Sequence, residues 1–268
     1  MLAIIIPYYK LTYFEATLKS LANQSDKRFK VFVGDDASPE DCTPLIAKYK
    51  PQFDLEYHRF ETNFGGSNLT QQWKRCIELK GDEEWLMILG DDDMLESNVV
   101  QTFHDHYCYF NSKSKVIRFA TKVLNQIENK SSDLYTNPIC EKGYEYLNRK
   151  LNGLTRGSLS EFVFKSNDLI KTGFTDYCSA FFSDDRMVLD LSNNNYIYSI
   201  NESVVIIRIF PESISGKASY NYENLSKARF EFYLYLLKKY YYYLNKSNKI
   251  KVIPTGFPII NPKAIPRL

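Results

Sequence analysis

Three consecutive aspartates, Asp91, Asp92 and Asp93, follow the apolar run Trp85-Leu86-Met87-Ile88-Leu89 and one glycine. Like charges within a few ångströms raise one another's pKa, so three carboxylates after a buried strand need a counter-charge. A divalent cation is the simplest: hard oxygens suit Mg²⁺ or Mn²⁺, and Mg²⁺ takes one or two protein carboxylates together with phosphate oxygens of a substrate. The same arrangement would hold a nucleoside diphosphate through the metal. The competing reading is an acidic turn in which one aspartate caps the helix that begins near Ser97, and a short motif alone does not separate the two.

A second carboxylate, Asp36 in Gly34-Asp35-Asp36-Ala37-Ser38, has chemistry suited to a base. It can accept the imide N–H of uracil and repels edges that only accept, which would select uridine or thymidine. An Asx turn or a helix N-cap explains the same residue without a ligand. Tyr9, in Pro7-Tyr8-Tyr9, could stack on that base, although it is one of 21 tyrosines and packing explains most of them.

The elements that must position these residues show in the alternation of two periods. Residues 3–6, 29–33, 55–60 and 85–89 read as short apolar strands. Residues 13–23, 40–50 and the stretch after Ser67 carry apolar residues at helical spacing, among them Phe14, Leu18 and Leu21, then Leu69, Trp73, Cys76 and Ile77. Helices between such strands imply a mostly parallel, Rossmann-like α/β sheet covered on both faces, which binds ligands at the carboxyl ends of its strands. Pro7-Tyr8-Tyr9, the Gly34–Ser38 segment, Asn63-Phe64-Gly65-Gly66 and Gly90-Asp91-Asp92-Asp93 all fall at that edge. Beyond Asn111 a smaller α+β region is expected: strands at 116–121, 161–164, 196–200 and 204–209, a polar loop at 126–137, a helix after Ser183, a long helix over 222–243, and an extended tail spaced by Pro254, Pro258, Pro262 and Pro266.

The whole chain bounds the possibilities further. Its 268 residues, 44% hydrophobic, can bury a core without help, and 34 basic against 32 acidic residues exclude a dedicated nucleic-acid coat. Charge is unevenly spread, with ten Lys/Arg against two Asp/Glu from Lys217 onward. Five widely spaced cysteines without a C-x-x-C pair argue against a disulfide framework or structural zinc. His104 and His106 would sit roughly 200° apart on a helix and cannot chelate together. No apolar run approaches the ~20 residues of a membrane span, so a cytoplasmic protein is expected.

Ile4-Ile5-Ile6-Pro7-Tyr8-Tyr9, Val33-Gly34-Asp35-Asp36-Ala37-Ser38, Asn63-Phe64-Gly65-Gly66 and Leu89-Gly90-Asp91-Asp92-Asp93, in that order, resemble the landmarks of family 2 glycosyltransferases of the GT-A fold, bacterial enzymes of surface polysaccharide synthesis among them. The resemblance covers about the first 120 residues well and the rest loosely. It implies that Pro7, Tyr9 and Asp36 contact a uridine, that Asp92 meets the ribose or a phosphate, and that Asp93, with Asp91 as the other candidate, holds Mn²⁺ or Mg²⁺ against the diphosphate. Gly90 stands where many members have an acid, which leaves the choice among the three aspartates open. It further implies that Asn63, Gly65 and Gly66 form the loop beside the donor, that Arg208 lies near the diphosphate, and that Ser183-Asp184-Asp185 supplies the catalytic base. A gapless alignment selects Asp184, an acid-acid reading selects Asp185, and helix capping accounts for either.

The implied activity is inverting transfer of a sugar from a UDP-sugar to a hydroxyl of a glycan or lipid-linked acceptor. Residues 1–120 would bind the nucleotide, 121–216 would form the acceptor side, with Arg156 and Glu161 in reach of it, and 217–268 a C-terminal helix and basic tail. Lysines and tyrosines over 238–251 could rest on anionic lipid at the inner face of the membrane, or simply pack the helix on the body. Two rivals remain: a noncatalytic nucleotide-sugar or glycan-binding subunit, and a sugar nucleotidyltransferase, which would want a glycine-rich loop where this chain has Pro7-Tyr8-Tyr9-Lys10.

Overall fold

A computed structural model describes residues 1–193, 195–213 and 222–253. The first half is a run of βα units. Strands β1 (Leu2–Tyr8), β2 (Phe29–Asp35), β3 (Leu55–Arg59) and β4 (Trp85–Ile88) pair in parallel in the order β3-β2-β1-β4. Helices α1 (Phe14–Ala22), α2 (Thr43–Tyr49) and α3 (Leu69–Ile77) connect them. Alternate residues of β1 feed two cores. Leu2, Ile4, Ile6 and Tyr8 pack with Phe14 and Leu18 of α1 on one face, and Ala3 and Ile5 pack with Trp73 and Cys76 of α3 on the other. A strand buried on both faces needs no polar alternation, which is why β1 reads as a continuous apolar run.

The second half extends the same sheet. After β5 (Met94–Leu95) and α4 (Val99–Phe110) come β6 (Ser114–Asn125), β7 (Lys130–Ser131), β8 (Cys140–Lys142), α5 (Gly143–Leu151), β9 (Phe162–Lys165), α6 (Ser166–Thr172), α7 (Ser183–Ser192) and β10 (Tyr196–Ile209). The sheet continues β4-β9-β6-β10-β5, with β9 antiparallel to both neighbours and β10 parallel to β6. Helices α8 (Tyr222–Lys239) and α9 (Lys246–Lys251) close the described chain, and α8 buries Ala228, Phe232, Leu236 and Leu237 in the α3-side core.

Several expectations shift in detail. The two strands over 196–209 are one, interrupted only by a register shift between Ile200 and Val204. The polar segment 126–137 contains β7. The long helix stops at Lys239, and Tyr241–Tyr243 form a 3₁₀ turn. Short helices α5 and α6 lacked a visible apolar stripe. The proline-spaced tail lies outside the described residues.

Topology brings distant segments to one edge. Because β9 runs against β4, the 3₁₀ turn Leu159–Glu161 ahead of it sits at the carboxyl edge of the parallel strands. Because β10 starts beside Ser114 at the opposite, amino edge, the helix before it ends there and begins at the carboxyl edge, which delivers Asp184 and Asp185 to it.

A buried ionic cluster fixes this junction. Arg118 of β6 is fully buried; its Nε donates to Glu161 Oε1 at 2.7 Å, Nη1 to Asn137 Oδ1 at 2.6 Å, and Nη2 to Thr155 Oγ1 at 3.1 Å and to the Arg156 carbonyl. Arg156 Nη1 also reaches Glu161 Oε2 at 3.0 Å, and Arg149 of α5 pairs with Glu141 at 2.8 Å. Arg156 and Glu161 are therefore members of a structural cluster that holds the 153–161 segment to the sheet. Removing one partner of a buried pair leaves an uncompensated charge. Glu161→Ala is expected to lower unfolding free energy by about 3–5 kcal/mol in urea titrations, whereas Lys48→Ala, which breaks an exposed pair with Glu15, should leave the urea midpoint unchanged.

Candidate active site

A cleft of about 370 Å³ opens at the carboxyl edge. Pro7, Tyr9 and Asp36 line it from β1 and β2, and Asn63, Gly65 and Gly66 from the loop after β3. Asp91, Asp92 and Asp93 after β4 and Arg208 near the end of β10 complete it. All the residues expected to meet the nucleotide or metal thus share one cavity, while Asp184 and Asp185 lie outside it.

The three aspartates play different parts. Asp91 Oδ2 accepts the backbone N–H groups of Tyr9 and Lys10, both at 2.8 Å, and so ties the end of β1 to the end of β4. Burial pushes its carboxyl up against the effect of those two bonds. Asp93 Oδ2 accepts the Ser160 hydroxyl at 2.5 Å, and Oδ1 the backbone N–H of Arg208 at 2.9 Å. Asp92 and Asp93 converge over Gly90: a Cβ there would lie 2.8 Å from Asp92 Oδ1 and 3.1 Å from Asp93 Oδ2. Burial raises the pKa of both, and mutual repulsion adds to it for Asp92. Two converging carboxylates whose negative charge is under-compensated form a hard-oxygen donor pair that fits Mg²⁺ or Mn²⁺. Of the candidates the sequence left open, Asp92, which the resemblance gave to the ribose or phosphate, lies beside Asp93, while Asp91 is turned toward the β1 loop.

Asp36 holds a loop. Its Oδ1 accepts the Phe64 N–H at 2.7 Å and an Arg75 guanidinium N–H, and its Oδ2 accepts the Gly65 N–H at 2.7 Å and the Asn63 amide at 3.0 Å. The Arg75 guanidinium carbon lies 3.9 Å from the Phe60 ring centroid and 4.2 Å from that of Phe64. A Cβ on Gly65 would come within 2.6 Å of Asp36 Oδ2, so only glycine allows this approach. Arg208 Nε donates to the Asp92 carbonyl at 3.1 Å, and its guanidinium lies 4.0 Å over the Tyr13 ring. It fixes the aspartate backbone while lining the cleft.

The acidic pair follows a strained turn. Ser179, Ala180 and Phe182 all have positive φ, 54°, 55° and 65°, conformations that cost a non-glycine residue of order 1–3 kcal/mol each. Phe182 stacks on Phe232 of α8 with centroids 5.0 Å apart and planes at 8°, which offsets part of that cost. Asp185 is buried, and its Oδ1 accepts both the Tyr146 hydroxyl at 2.9 Å and the Lys150 ammonium. No donor to its Oδ2 is found among the described residues. Asp184 is half-buried; burial, then the neighbouring Asp185 charge, pushes its carboxyl up. A Cβ on Gly157 would lie 3.5 Å from Asp185 Oδ1, and Ser158, the next residue, lines the cleft.

Sequence reasoning missed Arg75, Ser160, Tyr146 and Lys150. Arg75 had a signal, since it is a charged residue away from the apolar stripe of α3, the helix that follows the glycine loop. Ser160, Tyr146 and Lys150 meet the aspartates only through contacts more than 30 residues distant in the chain, which no local pattern encodes.

A mixed, mostly parallel sheet flanked by helices, with a cleft at its carboxyl edge that gathers carboxylates and a glycine loop, is the architecture of GT-A nucleotide-sugar transferases. The chain belongs to glycosyl transferase family 2, whose model matches residues 3–152, and members of this family transfer sugars from nucleotide-sugar donors. The chain is 35% identical over 94 residues to an uncharacterized glycosyltransferase of Haemophilus influenzae, an alignment that covers 35% of this chain and 30% of that protein. The fold is similar to S. aureus TarS 1-349 in complex with UDP-GlcNAc (TM-score 0.65, 18% identity, 94% of this chain and 70% of that one). It is also similar to the mannosyltransferase PcManGT of Pyrobaculum calidifontis in complex with GDP-Man and Mn²⁺ (TM-score 0.59, 13% identity, 86% and 63%).

Two outcomes follow from the geometry. Gly65→Ala should cost about 1–3 kcal/mol of stability, because the new methyl forces Asp36 out of its four bonds; Gly81→Ala, whose Cβ would meet Glu83 only at 3.5 Å, should fall within about 0.5 kcal/mol of the parent. Carboxyls whose folded pKa lies above the unfolded value bind more protons folded than unfolded, so stability rises as pH falls. Without divalent cations, thermal unfolding should therefore show a rising midpoint from about pH 8 down toward the ordinary carboxylate range near 4, a trend that Asp92→Asn reduces.

Proposed function

We propose that the protein is a metal-dependent, inverting glycosyltransferase that moves a sugar from UDP to a hydroxyl of a surface glycan, free or lipid-linked, with Asp185 as the general base. The observation that carries this reading is the pairing of two features at one sheet edge. Asp92 and Asp93 converge in the nucleotide cleft over Gly90, and Asp185, packed beside Gly157 next to the cleft-lining Ser158, is anchored through Oδ1 with Oδ2 left for a proton. A base needs a fixed position and a free oxygen, and the Tyr146 and Lys150 contacts supply the fixing. Asp184 is held only by backbone N–H groups of its own turn, with no side-chain hydrogen bond among the described residues.

In this reading Asp185 Oδ2 takes the proton of the acceptor hydroxyl as that oxygen bonds to the anomeric carbon from the face opposite the nucleotide. The bond from the anomeric carbon to the diphosphate breaks, UDP departs with the electron pair, and a single displacement inverts the anomer. A divalent ion at Asp92 and Asp93, Mn²⁺ or Mg²⁺, would supply charge neutralisation for the leaving diphosphate. Arg208 and Lys10 line the same cleft and add fixed positive charge near it. Choice of uridine draws support from the fold shared with TarS bound to UDP-GlcNAc. The Asn63 amide, which splits its donation between Asp36 Oδ2 at 3.0 Å and the Asp36 carbonyl at 3.1 Å, makes the weakest of the four bonds to that carboxylate and is the one an imide N–H would replace.

Peripheral contact with anionic lipid belongs to the same reading. Exposed Tyr242, Tyr243 and Ile250 lie near Lys246 and Lys249 in the chain, and no helix among the described residues is long and apolar enough to cross a membrane.

Release of UDP from UDP-GlcNAc, UDP-glucose and GDP-mannose, with Mn²⁺ and with glycan acceptors, tests the reading. Asp185→Asn should lower turnover by about 10²–10⁴-fold with UDP affinity retained, and Asp184→Asn should lower it less. No turnover with any donor would favour the noncatalytic binding subunit, and equal loss in both variants would remove the special role of Asp185.

A further inference from the structure

The chain that leads into the acidic pair is fastened to the donor half of the molecule by a carboxylate. Asp176 lies nine residues before Asp185 and stands at the N-terminus of α3. Its Oδ2 accepts the Asn68 amide N–H at 2.7 Å, and its Oδ1 lies 3.1 Å from the Thr70 hydroxyl, whose one proton is shared with Asn68 Oδ1 at 2.9 Å. The helix dipole favours a negative charge at this end of α3. Asn68 caps the helix, its Oδ1 accepting the Gln71 N–H at 2.9 Å, and its own backbone N–H donates to the Phe64 carbonyl at 2.6 Å. Phe64 and Gly65 are the residues whose N–H groups Asp36 accepts. A continuous run of hydrogen bonds therefore leads from the nucleotide cleft to residue 176.

A second contact lies beside the first. Phe174 meets Trp73 of α3 with ring centroids 5.0 Å apart and planes at 66°, and Trp73 lines the cleft. Farther along, the Tyr177 hydroxyl accepts Arg186 Nη1 at 3.0 Å, and Phe182 stacks on Phe232. Segment 174–182 is thus a strap, held at one end by the helix that follows the donor loop and at the other by α7 and α8. It contains Ser179, Ala180 and Phe182, whose positive φ values persist only where surrounding contacts over-determine the backbone. Phe182 is also the residue from which α7 starts, so a turn released at its α3 end would relax and carry Asp184 and Asp185 with it.

We propose that Asp176 is a positioning residue for the transfer reaction: by tying the strained turn to Asn68 and Thr70, it sets the acidic pair at a fixed place relative to the donor loop. The proposal rests on the reading of that pair as the source of the general base. Asp176 touches no reacting atom and acts through the turn. A base displaced by about 1 Å costs on the order of 10²-fold in rate. Without Asp176, Asn68 keeps its bonds to Gln71 and Phe64, so the donor loop stays in place. The loss therefore falls on turnover and spares nucleotide affinity.

Release of UDP from UDP-GlcNAc and UDP-glucose, with Mn²⁺ and glycan acceptors, is measured beside calorimetric UDP binding for the parent, Asp176→Ala and Asp176→Asn. Asp176→Ala should lower kcat by about 10–10²-fold, with donor KM and UDP affinity within about twofold of the parent. Asp176→Asn should stay within about threefold of the parent kcat, because its amide oxygen can accept from Asn68 and its N–H can donate to the Thr70 oxygen. Amide hydrogen exchange in Asp176→Ala should quicken by about tenfold over residues 177–185 and hold steady over 62–66. Unchanged kcat in Asp176→Ala, a loss of UDP affinity that matches the loss of kcat, an Asp176→Asn variant as slow as Asp176→Ala, or unchanged exchange over 177–185 would each overturn the proposal. Exchange that quickens along the whole chain would overturn it too, since Asp176 would then hold the fold and not the turn. No turnover by the parent removes the transferase reading and this role with it, whereas parental turnover that Asp176→Ala leaves intact removes this role alone.

Discussion

Three carboxylates held at the end of one buried strand set the terms for the rest of this molecule. Placing them together is unfavourable, because burial and mutual repulsion both oppose their ionisation. The fold answers with donors drawn from three separate segments: backbone N–H groups of the β1 loop for Asp91, and the Ser160 hydroxyl and the Arg208 N–H for Asp93. Each donor also joins a wall of the cleft to the aspartate turn. The cluster therefore acts as a knot where β1, β4, β10 and the 3₁₀ turn before β9 meet. Asp92 is the member left with least compensation, and it faces the space shared with Asp93.

Two further ionic contacts give that knot a rigid frame. Arg118 pins the 153–161 segment, which carries Ser160 to Asp93 and passes Gly157 beside Asp185. Asp36 and Arg75 pin the glycine loop on the opposite side of the cleft. In both cases the buried charge is valuable for geometry more than for net stability, since a buried pair roughly repays its own desolvation. The outcome is a cleft whose walls are fixed by Arg118 and Arg75, which do not line it, and by Asp36, which does. Beside Gly157, next to the cleft-lining Ser158, the acidic pair stands at the start of α7.

The first half of the fold was legible because its strands are buried on both faces and its helices show one apolar stripe each, and periodicity records both. The four polar turns at the strand ends were legible as a group for the same reason: once β1 to β4 are parallel, their ends must share an edge. Roles within the group were less so. Asp91 and Asp92 differ only in which way their side chains turn, and the contacts that decide it come from Tyr9 and Lys10, some 80 residues earlier in the chain. Short α5 and α6 escaped because seven to nine residues with mixed polarity carry little periodic signal. Arg156 and Glu161 illustrate the converse: their charges drew attention as acceptor-side candidates, and the structure uses them in a buried cluster around Arg118 that no spacing could foretell.

The central claim is that Asp92 and Asp93 form the metal-assisted diphosphate site of a uridine-nucleotide cleft. Calorimetric titration of UDP and of GDP into the protein, with and without Mn²⁺, and again with Asp93→Ala, tests it most directly. The account predicts UDP binding that requires Mn²⁺, exceeds GDP binding, and disappears in Asp93→Ala. UDP affinity that is indifferent to the metal and to Asp93 would contradict it and reduce the three aspartates to a structural knot.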